Sequence, residues 1–220
     1  MATEVVTNSA RDEVLRRIRA AKGGTANAER VRAEWSALQR EYRREAALSR
    51  ETLLELLEDR LLDYDARVIR VGHAGVAESV AGMLEERKAR RMVVPTGLRA
   101  EWMPRGVEFV VDDGLPAEEL NRFDGVMTGA TLAIAETGTV VLQNVAGQGR
   151  RVVTLVPDYH LCVVRVEDVV ETVPEAIDRL QTTAGLATTF VSGPSATADI
   201  EMTRIKGVHG PRFLDVVLVG

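Results

Sequence analysis

The sequence predicts an α/β protein with a mainly parallel sheet, preceded by helices. Three observations lead there. From about residue 66, short apolar runs alternate with helical patterns, the rhythm of β–α–β architecture. Through residue 62, apolar side chains recur at helical spacing instead. The apolar runs of the second part end in glycine, serine or threonine, which suit tight turns and helix caps, or a ligand crevice beyond the carboxyl ends of the strands.

In chain order, a first helix is expected from Ser9, which with Asp12 resembles a capping signal, to the Gly23-Gly24 stop. Val14, Leu15, Ile18 and Ala21 share its apolar face. A second is expected from Ala28 to about Leu48, because Val31, Trp35, Leu38 and Tyr42 keep one stripe. Ser49 caps a third, which carries Leu53, Leu54, Leu56, Leu57, Leu61 and Leu62. These helices make an extension over residues 1–65, ahead of an α/β domain over 66–220. The strands of that domain begin with ARVIRV (66–71), RMVV (91–94), VEFVV (107–111) and GVMTG (125–129). Helical stretches lie between them, near residues 76–90, 98–103 and 116–123, with Pro116 suited to a first turn. TVVL (139–142), RVVTLV (151–156) and YHLCVVRV (159–166) then follow closely, which predicts a hairpin-like or antiparallel excursion. Residues 169–181 read as helix, and TTFVS, ending at Ser192, and FLDVVLV (213–219) read as the last strands.

Composition excludes several classes. A single cysteine, Cys162, excludes an internal disulfide and an iron–sulfur cluster held by this chain alone. Three scattered histidines do not match a zinc motif, so no metal site is expected. The net charge is −5, with 12 basic and 13 acidic residues in 1–65 and 16 and 20 beyond. Neither part is a basic platform, which argues against nucleic-acid binding. The amino terminus has no apolar signal core, and no run of about 18 apolar residues exists. The expectation is a soluble, cytoplasmic protein without a membrane span.

Two segments are denser in chemistry than turns require. TGATLAIAETGTVVL (128–142) sets Glu136 between an apolar run and a Thr-Gly-Thr turn. Apolar neighbours would disfavour its charged form unless it is paired, which suits a nucleophile, a general base or a partner for a buried arginine. Equally, the carboxylate can accept backbone N–H bonds and pin the turn. VSGPSATADIEMTRIKGVHGP (191–211) gathers Ser192, Ser195, Thr197, Asp199, Glu201, Lys206 and His209 between glycines and prolines. Asp199 and His209 can form an oriented acid–base pair, or Ser195 and Thr197 can be caps and His209 a bonded loop residue. A helix opening near Ser195 would aim free N–H groups at a phosphate or carboxylate. No G-x-S-x-G elbow is present. Cys162 reads as a buried thiol, His160 heads a strand without an obvious partner, and Gly147-Gln148-Gly149 lacks the context of a dinucleotide fingerprint. The candidate site therefore has Glu136, His209 and Asp199 as catalytic residues. Gly129, Thr137, Gly138, Ser192, Gly193, Ser195 and Thr197 are its ligand-binding residues.

The strings TGATLAIAETGTVVL and SGPSATADIE, followed by GVHGP, resemble the signature of the LUD-domain family, in its lactate-utilization branch. The resemblance covers roughly residues 66–219. It implies the three-layer α/β/α sandwich of sugar-phosphate isomerases and CoA transferases. It also implies an accessory or substrate-binding subunit in oxidation of L-lactate to pyruvate, alongside two iron–sulfur proteins that hold the clusters. CoA transferases use a glutamate nucleophile, but Glu136 sits in Glu-Thr-Gly-Thr rather than a Glu-Asn-Gly-like setting. Two alternatives stay open: a stand-alone enzyme on a small phosphorylated or CoA-linked metabolite, and a non-catalytic ligand sensor. A homo-oligomer is also compatible with the apolar stripes of the leading helices.

Overall fold

The computed structural model describes residues 9–23, 27–197, 205–206 and 210–220. The chain separates into two compact units, residues 1–42 and 43–220. In the first, α1 (Ser9–Ala21) and α2 (Ala28–Ser36) are helices, with Asn27 capping α2 through bonds from the N–H groups of Glu29 and Arg30. The second helix therefore ends twelve residues before the Leu48 expected from its stripe. None of its residues is buried. Val31, Trp35, Leu38 and Tyr42 are all exposed.

The second unit opens with α3 (Arg50–Asp63), whose Ser49 cap accepts the Thr52 N–H as the sequence predicts. Leu53, Leu54, Leu57 and Leu61 of α3 belong to the same core as the strands, so this helix is part of the α/β unit that begins at Arg43. The main sheet contains β1 (Arg67–Val71), β2 (Arg91–Pro95), β3 (Glu108–Asp112), β4 (Gly125–Gly129), β7 (Tyr159–Arg165) and β12 (Phe213–Val219). Its order is β1-β12-β7-β4-β2-β3, and every pairing is parallel. Helix α4 (Val76–Glu86) packs Val76, Val80, Met83 and Leu84 on one face, against Met92, Met127, Leu161 and Val217. On the other face lie α3 and the short α5 (Ala117–Leu120), which places Leu120 against Val93 and Val126. This is the expected mainly parallel α/β sandwich.

YHLCVVRV, expected in an antiparallel excursion, is instead β7, a parallel strand inside the main sheet; of the expected segments only TVVL pairs antiparallel, in a second sheet. That second sheet is built from β5 (Leu132–Ile134), β6 (Thr139–Gln143), β8 (Val169–Val170) and β9 (Thr188–Ser192) in the order β8-β5-β6-β9. It packs its Ala133, Val140 and Leu142 into the core under α3, and its other face carries α6 (Val173–Leu180). Residues 169–181 are thus a strand and a helix, joined through the Thr172–Glu175 capping box. RVVTLV is not a strand. Residues Arg151–Thr154 form a 3-10 turn that buries Val153 against Val93, Leu120 and Val126. No helix opens at Ser195 either: Ala196–Thr197 (β10) pair antiparallel with Ile205–Lys206 (β11), and the Ser195 N–H donates to the Pro211 carbonyl. The geometry that would make a helical anion site there is absent. No helix among the described residues is long and apolar enough to cross a membrane.

Candidate functional site

Concave surface occurs at both ends of the main sheet. At the carboxyl ends, a cavity of about 170 Å³ is bordered by Gly97, Arg99, Trp102, Gly129, Gly147 and Arg165. A neighbouring one of about 420 Å³ lies beside Pro95, Asp112, Asn144 and Arg150. The loop between them is built on glycine. The Gly147 N–H donates to the Thr96 carbonyl, and its own carbonyl accepts the Gly129 N–H. A Cβ on Gly149 would meet that of Pro95 at 2.8 Å. Gly147-Gln148-Gly149 therefore closes over the strand ends, while the Gln148 side chain accepts from the Thr131 hydroxyl and the Gln143 N–H. Arg150 holds Asp112 with two bonds of 2.7 Å, which keeps that carboxyl below its ordinary range. The cations of this crevice have partners: Arg99 pairs with Glu101, and Arg165 with Glu167 and Asp168.

A third cavity, of about 240 Å³, lies at the amino ends of β7 and β12. His160 and Leu214, paired across these strands, line it, with Arg151, Ser192, Gly193 and Ser195 around them. Register explains how His160 meets Thr128. Val126 pairs with His160 and Thr128 with Cys162, so all four side chains stand on one face of the sheet. His160 is buried, and burial and then the nearby Arg151 charge pull its pKa down to about 4. Its Nε2 lies 2.8 Å from the Thr128 hydroxyl. That hydroxyl donates to the Cys162 sulfur, whose thiol donates to the Gly129 carbonyl, each at 3.6 Å. Burial pushes the thiol up to about 12, so it keeps its proton. Arg151 stands exposed at the rim, its Nη1 donating to the Thr154 carbonyl and hydroxyl at 3.0 and 3.1 Å. Partial burial lowers its pKa. No carboxylate among the described residues pairs with it.

The structure brings some of the sequence-derived candidates together and separates others. Strands β6 and β9 set Thr139 opposite Ser192, and the Thr137, Thr139 and Ser192 hydroxyls form a chain with two 2.7 Å links. Gly138 and Gly193 are close approaches to the end of α3. Both have positive φ, and a Cβ would come within 2.8 Å of Arg60 and 2.5 Å of Tyr64 respectively. Gly129 is different: it borders the carboxyl-end crevice, and a Cβ there would have only ordinary contacts at 3.6 Å. It does not share an edge with Ser192, as reading both as parallel strand ends would suggest.

Glu136 lies in the β5–β6 turn, exposed, with an ion pair to Arg43 at 3.9 Å. It lacks the apolar burial its neighbours in sequence suggest, because the turn lifts it off the sheet. The carboxylate pinning this region is instead Glu171, which is buried, pairs with Arg43 and accepts the Ala47 and Leu48 N–H groups at 2.7 and 2.8 Å. Asp199 and His209 lie outside the described residues, and of Thr197 only the backbone pairing with Ile205 is described. Sequence reasoning missed Arg151 and Thr128, and left His160 unassigned. Alternation along GVMTG and YHLCVVRV, aligned in parallel register, is the signal that pairs Thr128 with the His160–Cys162 face.

Comparison with known proteins bears on this arrangement. The LUD domain family model matches residues 112–219, which hold most of both cavity systems. Lactate utilization protein C of Deinococcus radiodurans is 44% identical over 178 residues, 80% of this chain and 83% of that protein. The protein of that name from Bacillus velezensis is 25% identical over 209 residues, 84% and 85% of the two chains. The crystal structure of a DUF162 family protein from Deinococcus radiodurans superposes with a TM-score of 0.70 at 40% identity, covering 79% of this chain and all of that one.

Proposed function

The chain belongs to the LUD-domain family, and from that premise we propose that it serves lactate utilization as the subunit that binds the small carboxylate, working beside iron–sulfur proteins that carry the electrons. The observation that carries this reading is the extended similarity to relatives named lactate utilization protein C, one of them over four-fifths of the chain. A cavity with a rim arginine and a buried neutral imidazole is compatible with a small anionic ligand. The single cysteine is taken up in the hydrogen-bond chain from His160 to Gly129, and one thiol cannot hold a four-cysteine cluster. Electrons removed from lactate would therefore pass to partner chains.

The test is genetic and biochemical. Deleting the coding gene in its host is expected to abolish growth on L-lactate while sparing growth on glucose, and the tagged protein is expected to co-purify with cysteine-rich partners. Unchanged growth on L-lactate overturns the reading. A second reading, an enzyme on a phosphorylated or CoA-linked metabolite, is favoured by Arg99 and Arg165 at the carboxyl-end crevice. A sugar phosphate or CoA retained through purification would support it instead.

A further inference from the structure

We propose that the cavity at the amino ends of β7 and β12 is the ligand site, that it takes a small 2-hydroxy monocarboxylate, and that Arg151 holds the carboxylate while Nδ1 of His160 accepts the hydroxyl proton in a hydrogen bond. Size is the first argument. At about 240 Å³ the cavity falls below the roughly 300–1,000 Å³ of sites for drug-sized ligands. Charge is the second. Among the described residues lining the cavity, Arg151 carries the sole formal charge, and among the described residues only its Nη1 has an acceptor, at Thr154. The remaining guanidinium donors suit a carboxylate.

Proton counting along the buried chain supplies the third argument. A carbonyl only accepts, so the Cys162 thiol gives its one proton to Gly129. The Cys162 sulfur must then accept, which uses the Thr128 hydroxyl proton. Thr128 Oγ1 in turn accepts from His160, which fixes the proton on Nε2. A neutral imidazole protonated at Nε2 has Nδ1 as a bare acceptor. An acceptor selects a hydroxyl over a keto oxygen, which has no proton to give. The site thus prefers a 2-hydroxy acid both to its 2-oxo counterpart and to an acid unsubstituted at that carbon. The identity of the acid as lactate rests on the lactate-utilization reading; the placement and the hydroxyl preference rest on this geometry.

Calorimetric titration of the full chain with L-lactate, pyruvate, propionate and inorganic phosphate is the test, on the wild type, Arg151→Gln, His160→Gln and Arg99→Gln. L-lactate is expected to bind at least tenfold more tightly than propionate or pyruvate. Arg151→Gln is expected to weaken it at least tenfold at an unchanged melting temperature. His160→Gln, whose amide can still donate to Thr128, is expected to erase the preference for lactate over propionate. Arg99→Gln, in the other crevice, is expected to bind as the wild type does. Lactate binding that survives Arg151→Gln, equal affinity for lactate and propionate, or binding of phosphate alone overturns the proposal. Should His160→Gln fail to fold, the propionate comparison and Arg151→Gln still decide. If gene deletion abolishes growth on L-lactate but the protein binds none, this site fails and the lactate role stands. If deletion leaves growth intact, the role fails whatever binds here.

Discussion

Acid should destabilise this protein through His160. The imidazole is 2% exposed and its pKa falls from an ordinary 6.5 to about 4, because burial and the Arg151 charge both oppose protonation. The unfolded chain takes up that proton near pH 6.5, whereas the folded chain takes it up only near pH 4. Between these values the unfolded state binds more protons, so stability falls as pH falls through the window, and this group has almost no effect above pH 7. The shift corresponds to a loss of about 2 kcal/mol between pH 7 and pH 5, approaching about 3 kcal/mol below pH 4. Urea unfolding of the wild type and His160→Gln across pH 5–7.5 isolates the effect, since carboxylates titrate alike in both. The wild type is expected to lose about 2 kcal/mol more than the variant between pH 7 and pH 5. Parallel stability curves would refute the buried, neutral histidine and, with it, the proton assignment along Thr128 and Cys162.

Other substitutions probe the frame around the cavities. Asp215 is buried and takes a bond from Arg87 at 2.6 Å and from the Tyr159 hydroxyl at 2.9 Å, so Asp215→Asn should cost about 3–5 kcal/mol in chemical denaturation. Gly193→Ala places a Cβ 2.5 Å from Tyr64 at φ +77 and should cost at least about 1–3 kcal/mol, whereas Gly129→Ala should stay within about 1 kcal/mol of wild type. Glu136→Gln, at an exposed turn, should leave stability within about 0.5 kcal/mol, so any loss of growth on L-lactate with this variant reads chemistry at the carboxylate rather than folding.

Strong periodicity made much of the architecture legible. The leucines behind Ser49 and the six strands of the main sheet stand where apolar spacing places them. RVVTLV misleads because a short apolar run does not reveal its period. Here Val153 is buried by a 3-10 turn after Gly149, whose positive φ turns the chain off the strand path. The SGPS segment misleads differently, because glycine, proline and serine suit a cap as well as a strand entry, and the Ser195–Pro211 bond decides between them. Glu136 was visible as a chemical residue, but its exposure depends on where the hairpin turns. The His160–Thr128–Cys162 chain depends on register between strands more than thirty residues apart, which spacing within one strand does not encode.

Backbone amide NMR of the labelled full chain during titration with L-lactate tests most directly where the small carboxylate binds. Shifts are expected to saturate together at His160, Gly193, Ser195 and Gly210 around the amino-end cavity. No saturable shift, or shifts confined to Gly97, Gly129 and Gly147 at the carboxyl ends, would contradict it.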